Sequence, residues 1–326
     1  MRKRNPTIDL ARLFAAYGVI ALHIPSGTFA ADILNKIFWP ICVPFFYFTS
    51  LIYFIQGMKM SGKSYYIRNW RRIILPYIIW TIIYLSLLAI KHRIAGDGGK
   101  INWWRAIFYG ESAVHLYFIP TLLFMQAVAM GIYLFFAGER KDRIFAFITL
   151  IFSALYFIVG VMYECYGIRT VGSLCGILIF ISAAFIASSW TDSEISEKRV
   201  LFCSIGSIIL LSALICNFSG QLLMVWNYPL IFPLGGIGFF LIAVSTPFYS
   251  IPKRFLQLTT FSYGIYLCHI VFLEAYEVIL DKIFHYQAVN DLTIKLFETT
   301  FIFSVSLIFI LIAKSFSFLR VALGDK

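Results

Sequence analysis

Apolar runs of bilayer-crossing length follow one another along almost the whole chain, and no stretch between them is long and polar enough to fold as a separate soluble module. A helix needs about 20 predominantly apolar residues to cross a hydrocarbon core. The backbone N–H and C=O groups of such a segment find no water there and must be satisfied internally. Composition agrees: 60% of the 326 residues are apolar and 13% are charged, against about a quarter charged in soluble domains. The expected fold is all-α, a polytopic membrane helix bundle of about ten transmembrane helices, with residues 1–326 forming a single domain.

The expected spans run Ile8 to Ile24, Ile37 to Gln56, Ile73 to Ile90, Leu116 to Phe136, Ile144 to Met162, Val171 to Trp190, Val200 to Cys216, Pro229 to Tyr249, Thr260 to Ile279 and Leu292 to Phe318. Lys and Arg accumulate in cytoplasmic loops. Placing both termini in the cytoplasm puts Arg2, Lys3, Arg4, Lys59, Lys63, Arg68, Arg71, Arg72, Arg140, Lys141, Arg143, Lys253 and Arg254 on that side. Nine or eleven spans would break this alternation at one end. The long outer loop from Lys91 to His115 holds Trp103 and Trp104, which suit a helix at the membrane interface.

The net charge of +11 would point to nucleic acid in a soluble protein. Here the basic residues flank spans and set orientation, so no nucleic-acid partner is expected. Six cysteines (Cys42, Cys165, Cys175, Cys203, Cys216 and Cys268) lie in or near apolar runs without a Cys-x-x-Cys pair. They read as buried thiols, and no metal is expected. The N-terminal Met1-Arg2-Lys3-Arg4 resembles a signal peptide, but Asp9 and Arg12 interrupt the apolar run and no small-residue cleavage site follows Leu22. A retained first helix is the expectation.

Ionisable side chains in hydrocarbon are costly and usually face the bundle interior. The first helix carries Asp9, Arg12 and His23. Arg12 and His23 are eleven positions apart, close to three turns, so they share a face about 16 Å apart along the axis. Asp9 lies one turn before Arg12 and can pair with it. Snorkelling of Arg12 and an interfacial His23 is the plainer reading for either residue alone. Arg68, Asn69, Trp70, Arg71 and Arg72 precede the third span. Their guanidinium forks suit phosphate, although flanking arginines also bind anionic lipid. His115 opens the fourth span, and Ser262, Tyr266 and His269 form a polar stripe on the ninth. His92 and His285 read as loop residues.

Gly-x-Ser-x-Gly, phosphate-binding-loop and His-Glu-x-x-His motifs are all missing from the sequence, so serine-triad and zinc hydrolysis lack support. Basic groups near the cytoplasm and histidines toward the outer half suit acyl transfer from an anionic thioester to a hydroxyl. An imidazole can take the hydroxyl proton during attack, and Arg or Tyr donors can hold the oxyanion.

Arg12 and His23 match the Arg-x10-His signature of bacterial acyltransferase family 3, the membrane O-acyltransferases of cell-envelope sugars, and Ile8 through Ala15 resembles that family's opening. Val43-Pro44-Phe45-Phe46-Tyr47-Phe48 is similar to its second-helix block, with Thr49-Ser50-Leu51 where Ser-Gly-Tyr is usual. Arg68 through Tyr77 resembles its Arg-x-x-Arg segment, and His115-Leu116-Tyr117-Phe118 its His-Leu-Trp-Phe block with Tyr for Trp. Phe261 through His269 resembles its late block.

The resemblance implies His23 as catalytic base or acyl relay and Arg12 as a residue that orients the site or supports the donor. It implies Arg68 and Arg71 on coenzyme A phosphates, to which Arg72 is added on charge alone. His115, Tyr263, Tyr266 and His269 would line the substrate site. The implied donor is acetyl-CoA or another acyl-CoA. The implied acceptor is a glycan or lipid-linked sugar outside the cytoplasm, with the protein among the lipids of a bacterial plasma membrane as a stand-alone membrane form. The competing reading is a transporter or flippase of an acyl donor or glycolipid. Intramembrane charges mark transport paths equally well, but no inverted repeat is visible, and Gly235-Gly236 with Pro229 and Pro233 is the one candidate helix break. A third reading is a membrane domain that senses or scaffolds by binding ligand without turnover.

Overall fold

The computed structural model describes residues 5–95, 102–135, 151, 171–220, 224–225, 228–229, 231–246, 252–282 and 291–324. The helices are α1 (Pro6–His23), α2 (Phe29–Phe38), α3 (Cys42–Ser61), α4 (Lys63–Ala95), α5 (Trp103–Phe108), α6 (Phe118–Phe135) and α7 (Val171–Ser189). They continue as α8 (Asp192–Glu197), α9 (Arg199–Phe218), α10 (Ile231–Ser245), α11 (Lys253–Leu258), α12 (Ser262–Lys282), α13 (Leu292–Ala313) and α14 (Ser317–Ala322). A minimal antiparallel pair joins Met224–Val225 to Tyr228–Pro229.

Among the described residues, five helical segments are long and apolar enough to cross a membrane: Phe29–Ser61, Ser64–Arg93, Arg199–Phe218, Leu256–Asp281 and Leu292–Ala313. Phe118–Leu134, Ile179–Ser189 and Phe232–Ser245 are shorter apolar helices. The span expected over 144–162 lies outside the described residues except for residue 151, as does His285. The span expected from Ile37 to Gln56 lies within the segment Phe29–Ser61, which carries a short turn near its middle. Pro40 follows α2, and Trp39–Ile41 is a turn before α3 starts at Cys42. A proline biases the residue before it away from helix, which accounts for the break. His92, expected in a loop, lies within α4. That helix has 33 residues, about 50 Å at 1.5 Å per residue, longer than a hydrocarbon core of about 30 Å. Arg68, Arg71 and Arg72 stand near one of its ends and Lys91, His92 and Arg93 near the other, as expected of polar flanks.

The helices form two compact units, residues 1–15, 33–62 and 125–259 in one, and 16–32, 63–124 and 260–326 in the other. In the first, α3 packs against α7 and α10, and α10 packs against α9. Helix α3 is buried on most sides, as a helix apolar all round should be, through Phe45, Phe48, Leu51, Ile52, Phe54 and Ile55. Its rings meet neighbours edge to face: Phe45 lies 5.0 Å from Phe239 and Phe48 lies 5.0 Å from Phe240. Helix α10 approaches so closely that a Cβ on Gly235 would sit 2.1 Å from the Pro40 carbonyl oxygen, and one on Gly236 would sit 2.5 Å from Pro44. Small residues permit such backbone contact between membrane helices. Helix α10 runs unbroken through Pro233, Gly235 and Gly236, so these glycines serve packing and do not mark a break.

In the second unit α12 packs against α13 and α4, and α4 also packs against α5 and α14. Side-chain donors on α4 fix these neighbours. Tyr77 donates to the Ile107 carbonyl at 2.6 Å, Trp80 Nε1 to that of Ala322 at 2.9 Å and the Tyr84 hydroxyl to that of Leu267 at 2.8 Å. Trp103 and Trp104 on the short α5 are 60% and 68% exposed.

Gly236→Leu is expected to destabilise the first unit, because overpacking costs about 1–3 kcal/mol or more. Gly131→Ala, where a Cβ would meet nothing within 4 Å, is expected to be tolerated. Thermal unfolding of the two purified variants in detergent checks this, and an unshifted Gly236→Leu transition would mean that α10 has room to move off α3.

Candidate active site

Three imidazoles from separate parts of the second unit converge. His23 ends α1, His115 lies in the turn between α5 and α6, and His269 lies on α12. The ring centre of His269 is 4.8 Å from that of His115 and 5.4 Å from that of His23, and the rings of His23 and His115 are 6.3 Å apart. Tyr266 and Tyr84 complete the cluster, their rings 5.1 Å and 5.3 Å from His115. His115 is 2% and His269 0% exposed, whereas His23 is half-buried. Of the three rings, that of His23 is the least enclosed.

The chain is held locally so that these rings face one another. Gly110 has φ +70°, a left-handed conformation that favours glycine. A Cβ there would lie 2.6 Å from the backbone of Leu116 and Tyr117. The tight return this permits carries His115 under the start of α6, closed by Leu116 N–H donating to Ala113 at 3.0 Å. The Tyr266 hydroxyl donates to the His115 carbonyl, and the ring of Tyr266 rests on Phe118 at 5.3 Å.

His269 Nδ1 lies 2.7 Å from the Tyr266 carbonyl oxygen and 3.2 Å from that of Ile265. A carbonyl oxygen only accepts, so Nδ1 carries a hydrogen. In the neutral ring, Nε2 then holds the lone pair. That Nε2 is buried and has no hydrogen-bond partner among the described residues. Among those residues no set of three His, Cys, Asp or Glu side chains is arranged to hold a metal ion.

The other residues expected in the site divide into two further places. Arg12 belongs to the first unit, 4.0 Å from Asp9 and 4.8 Å over the Tyr53 ring. The pairing with Asp9 is the one its spacing predicts. Arg68, Arg71 and Arg72 are exposed on α4. Arg72 Nε donates to the Gly324 carbonyl at 3.4 Å and lines a small cleft with Tyr263, Thr260, Lys314 and Gly324. Tyr263 donates to the Ile73 carbonyl at 3.4 Å. It therefore sits with the arginine cluster and not, like Tyr266, with the histidines. Twelve residues of α4 separate Arg72 from Tyr84, about 18 Å along the axis.

Two residues of the second unit escape the sequence reading. Tyr84 bears on His115 and pins α12, but a tyrosine in an apolar run gives no signal by itself. Lys295 is fully enclosed on α13. Its signal was present, because a lysine inside an apolar segment is a functional marker by the same rule that singles out Arg12.

The sequence profile of the acyltransferase domain family matches residues 5–319. No curated protein and no solved structure matches the chain. The profile runs from the start of α1 into α14 and includes both the histidine cluster and the arginines of α4, and on that nearly complete match the chain belongs to acyltransferase family 3.

Proposed function

We propose that this membrane acyltransferase moves an acetyl or other short acyl group from cytoplasmic acyl-CoA to a hydroxyl of a glycan or lipid-linked sugar outside the cytoplasm. The whole chain works as one multi-pass domain of about ten spans in a bacterial plasma membrane, with both termini in the cytoplasm. The convergence of His23, His115 and His269, with His23 the least enclosed of the three, is the observation that carries the reading.

In the proposed reaction a neutral His23 takes the proton of the acceptor hydroxyl as its oxygen attacks the thioester carbonyl. Collapse of the tetrahedral intermediate breaks the C–S bond, and the proton passes from His23 to the departing coenzyme A thiolate. General base catalysis of this kind contributes about 10²- to 10⁴-fold. His115 and His269 form the wall behind the reacting atoms, and Tyr266 fixes the backbone of His115. The arginines Arg68, Arg71 and Arg72 hold the phosphates of the donor. Their separation from the histidine cluster along α4, about 18 Å, suits a donor whose phosphates and thioester lie at opposite ends of an extended arm. Arg12 orients the first unit's part of α1 through Asp9 and Tyr53.

Purified protein supplied with radiolabelled acetyl-CoA and an envelope glycan fraction is expected to release free coenzyme A and label the glycan. His23→Ala is expected to lower that rate at least about 100-fold without changing the melting temperature. Full activity in the variant sinks the assignment of the base. Uptake of label into vesicles without free coenzyme A would favour a transporter, and donor binding without either would favour a sensor or scaffold.

Arg71→Gln is expected to raise KM for acetyl-CoA about tenfold, the equivalent of about 1.4 kcal/mol, and to leave kcat nearly unchanged. Initial rates across donor concentration test this. A fall in kcat at constant KM would place Arg71 in the chemistry instead of in phosphate binding.

A further inference from the structure

Lys295 stands in the first turns of α13 with no exposed surface, inside a segment apolar enough to cross a membrane. A lysine enclosed in this way is tolerated where its ammonium is fully engaged. Lys295 Nζ donates to the Ile24 carbonyl at 2.8 Å and to Ser26 Oγ at 2.8 Å. The carboxylates of Asp32 and Glu298 lie close enough to interact with it.

These acceptors have a particular place in the chain. His23 is the last residue of α1, Ile24 follows it, and Pro25 cannot continue the helix. The last carbonyls of a helix lack intrahelical donors, and its C-terminal end attracts a cation. Lys295 meets both needs at once. It grips the chain one residue and three residues beyond His23, on the side that α13 provides. Helix α13 packs against α12, which carries His269, and the imidazole of His269 lies 5.4 Å from that of His23. Lys295 thus ties the end of α1 to the helix pair that carries His269.

We propose that Lys295 is a positioning residue for His23, its ammonium clamping the end of α1 so that the imidazole is held over His269. This rests on the reading of His23 as the base. Lys295 does not touch the reacting atoms. Its removal would leave the donor-binding arginines intact and let His23 drift, and displacement by about 1 Å costs on the order of 100-fold in rate.

The test uses the full chain in lipid nanodiscs, with acetyl-CoA as donor, an envelope glycan fraction as acceptor, and rates expressed per mole of folded protein. Lys295→Met is expected to lower kcat about 30- to 100-fold while KM for acetyl-CoA stays within about twofold. Lys295→Arg, which keeps a cationic donor, is expected to recover most of the loss. In a His23→Ala background, Lys295→Met is expected to cost nothing further, because residues acting through one group are not additive. A residue that merely stabilises the fold would lower the melting temperature and leave kcat per folded mole unchanged. Wild-type kcat in Lys295→Met beside an inactive His23→Ala overturns the positioning role and leaves the base standing. Activity in His23→Ala overturns the base itself. Should Lys295→Met fail to accumulate, Ser26→Ala decides: it removes one acceptor, and a severalfold fall in kcat at constant KM supports the clamp while wild-type kcat counts against it.

Discussion

The second unit depends on one constraint, the cost of enclosing a polar group away from water without a partner. Such a group loses several kcal/mol in an apolar medium unless it is hydrogen-bonded. Here the partners are repeatedly backbone carbonyls of another segment. Tyr77 donates to Ile107, Trp80 to Ala322, Tyr84 to Leu267, Tyr266 to His115 and Lys295 to Ile24. Each contact satisfies a buried donor and also fixes the distance between two segments. Helices in lipid gain little from apolar contact alone, because the tails are as apolar as leucine. Directional contacts of this kind therefore decide which residues face one another, and they bring three histidines from separate segments together.

Spacing along one helix could be read from the sequence, while the meeting of different helices could not. Arg12 and His23 lie on one continuous helix, and Asp9 approaches Arg12 as an i, i+3 pair should. The boundaries of α6, α7, α9, α12 and α13 fall within a few residues of their apolar runs, because burial in lipid makes the pattern continuous. The division of α2 from α3 depends on Pro40, whose effect is local and is masked by the apolar residues around it. Tyr263 and Tyr266 are three positions apart in one block of resemblance. The structure nevertheless sends one to Arg72's cleft and the other to His115. Adjacent turns of a spanning helix lie at different depths, and depth, more than membership of a motif, decides what a side chain can touch.

Lys295 shows a different limit. The rule that a charge in an apolar run carries a function applies to it as fully as to Arg12. What the sequence withholds is its partner, since Ile24 lies 271 positions away. A carbonyl acceptor leaves no trace in residue identity, because every residue has one. Backbone-directed contacts are therefore hidden from any reading of side-chain motifs, and most of the contacts that shape this cluster are of that kind.

The same contacts narrow the chemistry. Tyr84 and Tyr266 are close to the imidazoles, and either would look suited to hold an oxyanion. Each hydroxyl has one hydrogen, and each hydrogen already points at a backbone carbonyl. Donation to a developing oxyanion would break the contact to Leu267 or His115 and loosen the cluster that the hydroxyl holds together. His269 Nδ1 is committed to the Tyr266 carbonyl in the same way, and its Nε2, as the lone-pair side of the neutral ring, repels an anion. Both ring nitrogens of His115 are buried without a hydrogen-bond partner among the described residues, and a neutral imidazole carries one N–H, so His115 gives the inner wall a donor that the tyrosines cannot spare. In the proposed reaction, the imidazolium that His23 becomes on taking the hydroxyl proton and the N–H of His115 would both be available to the developing negative charge.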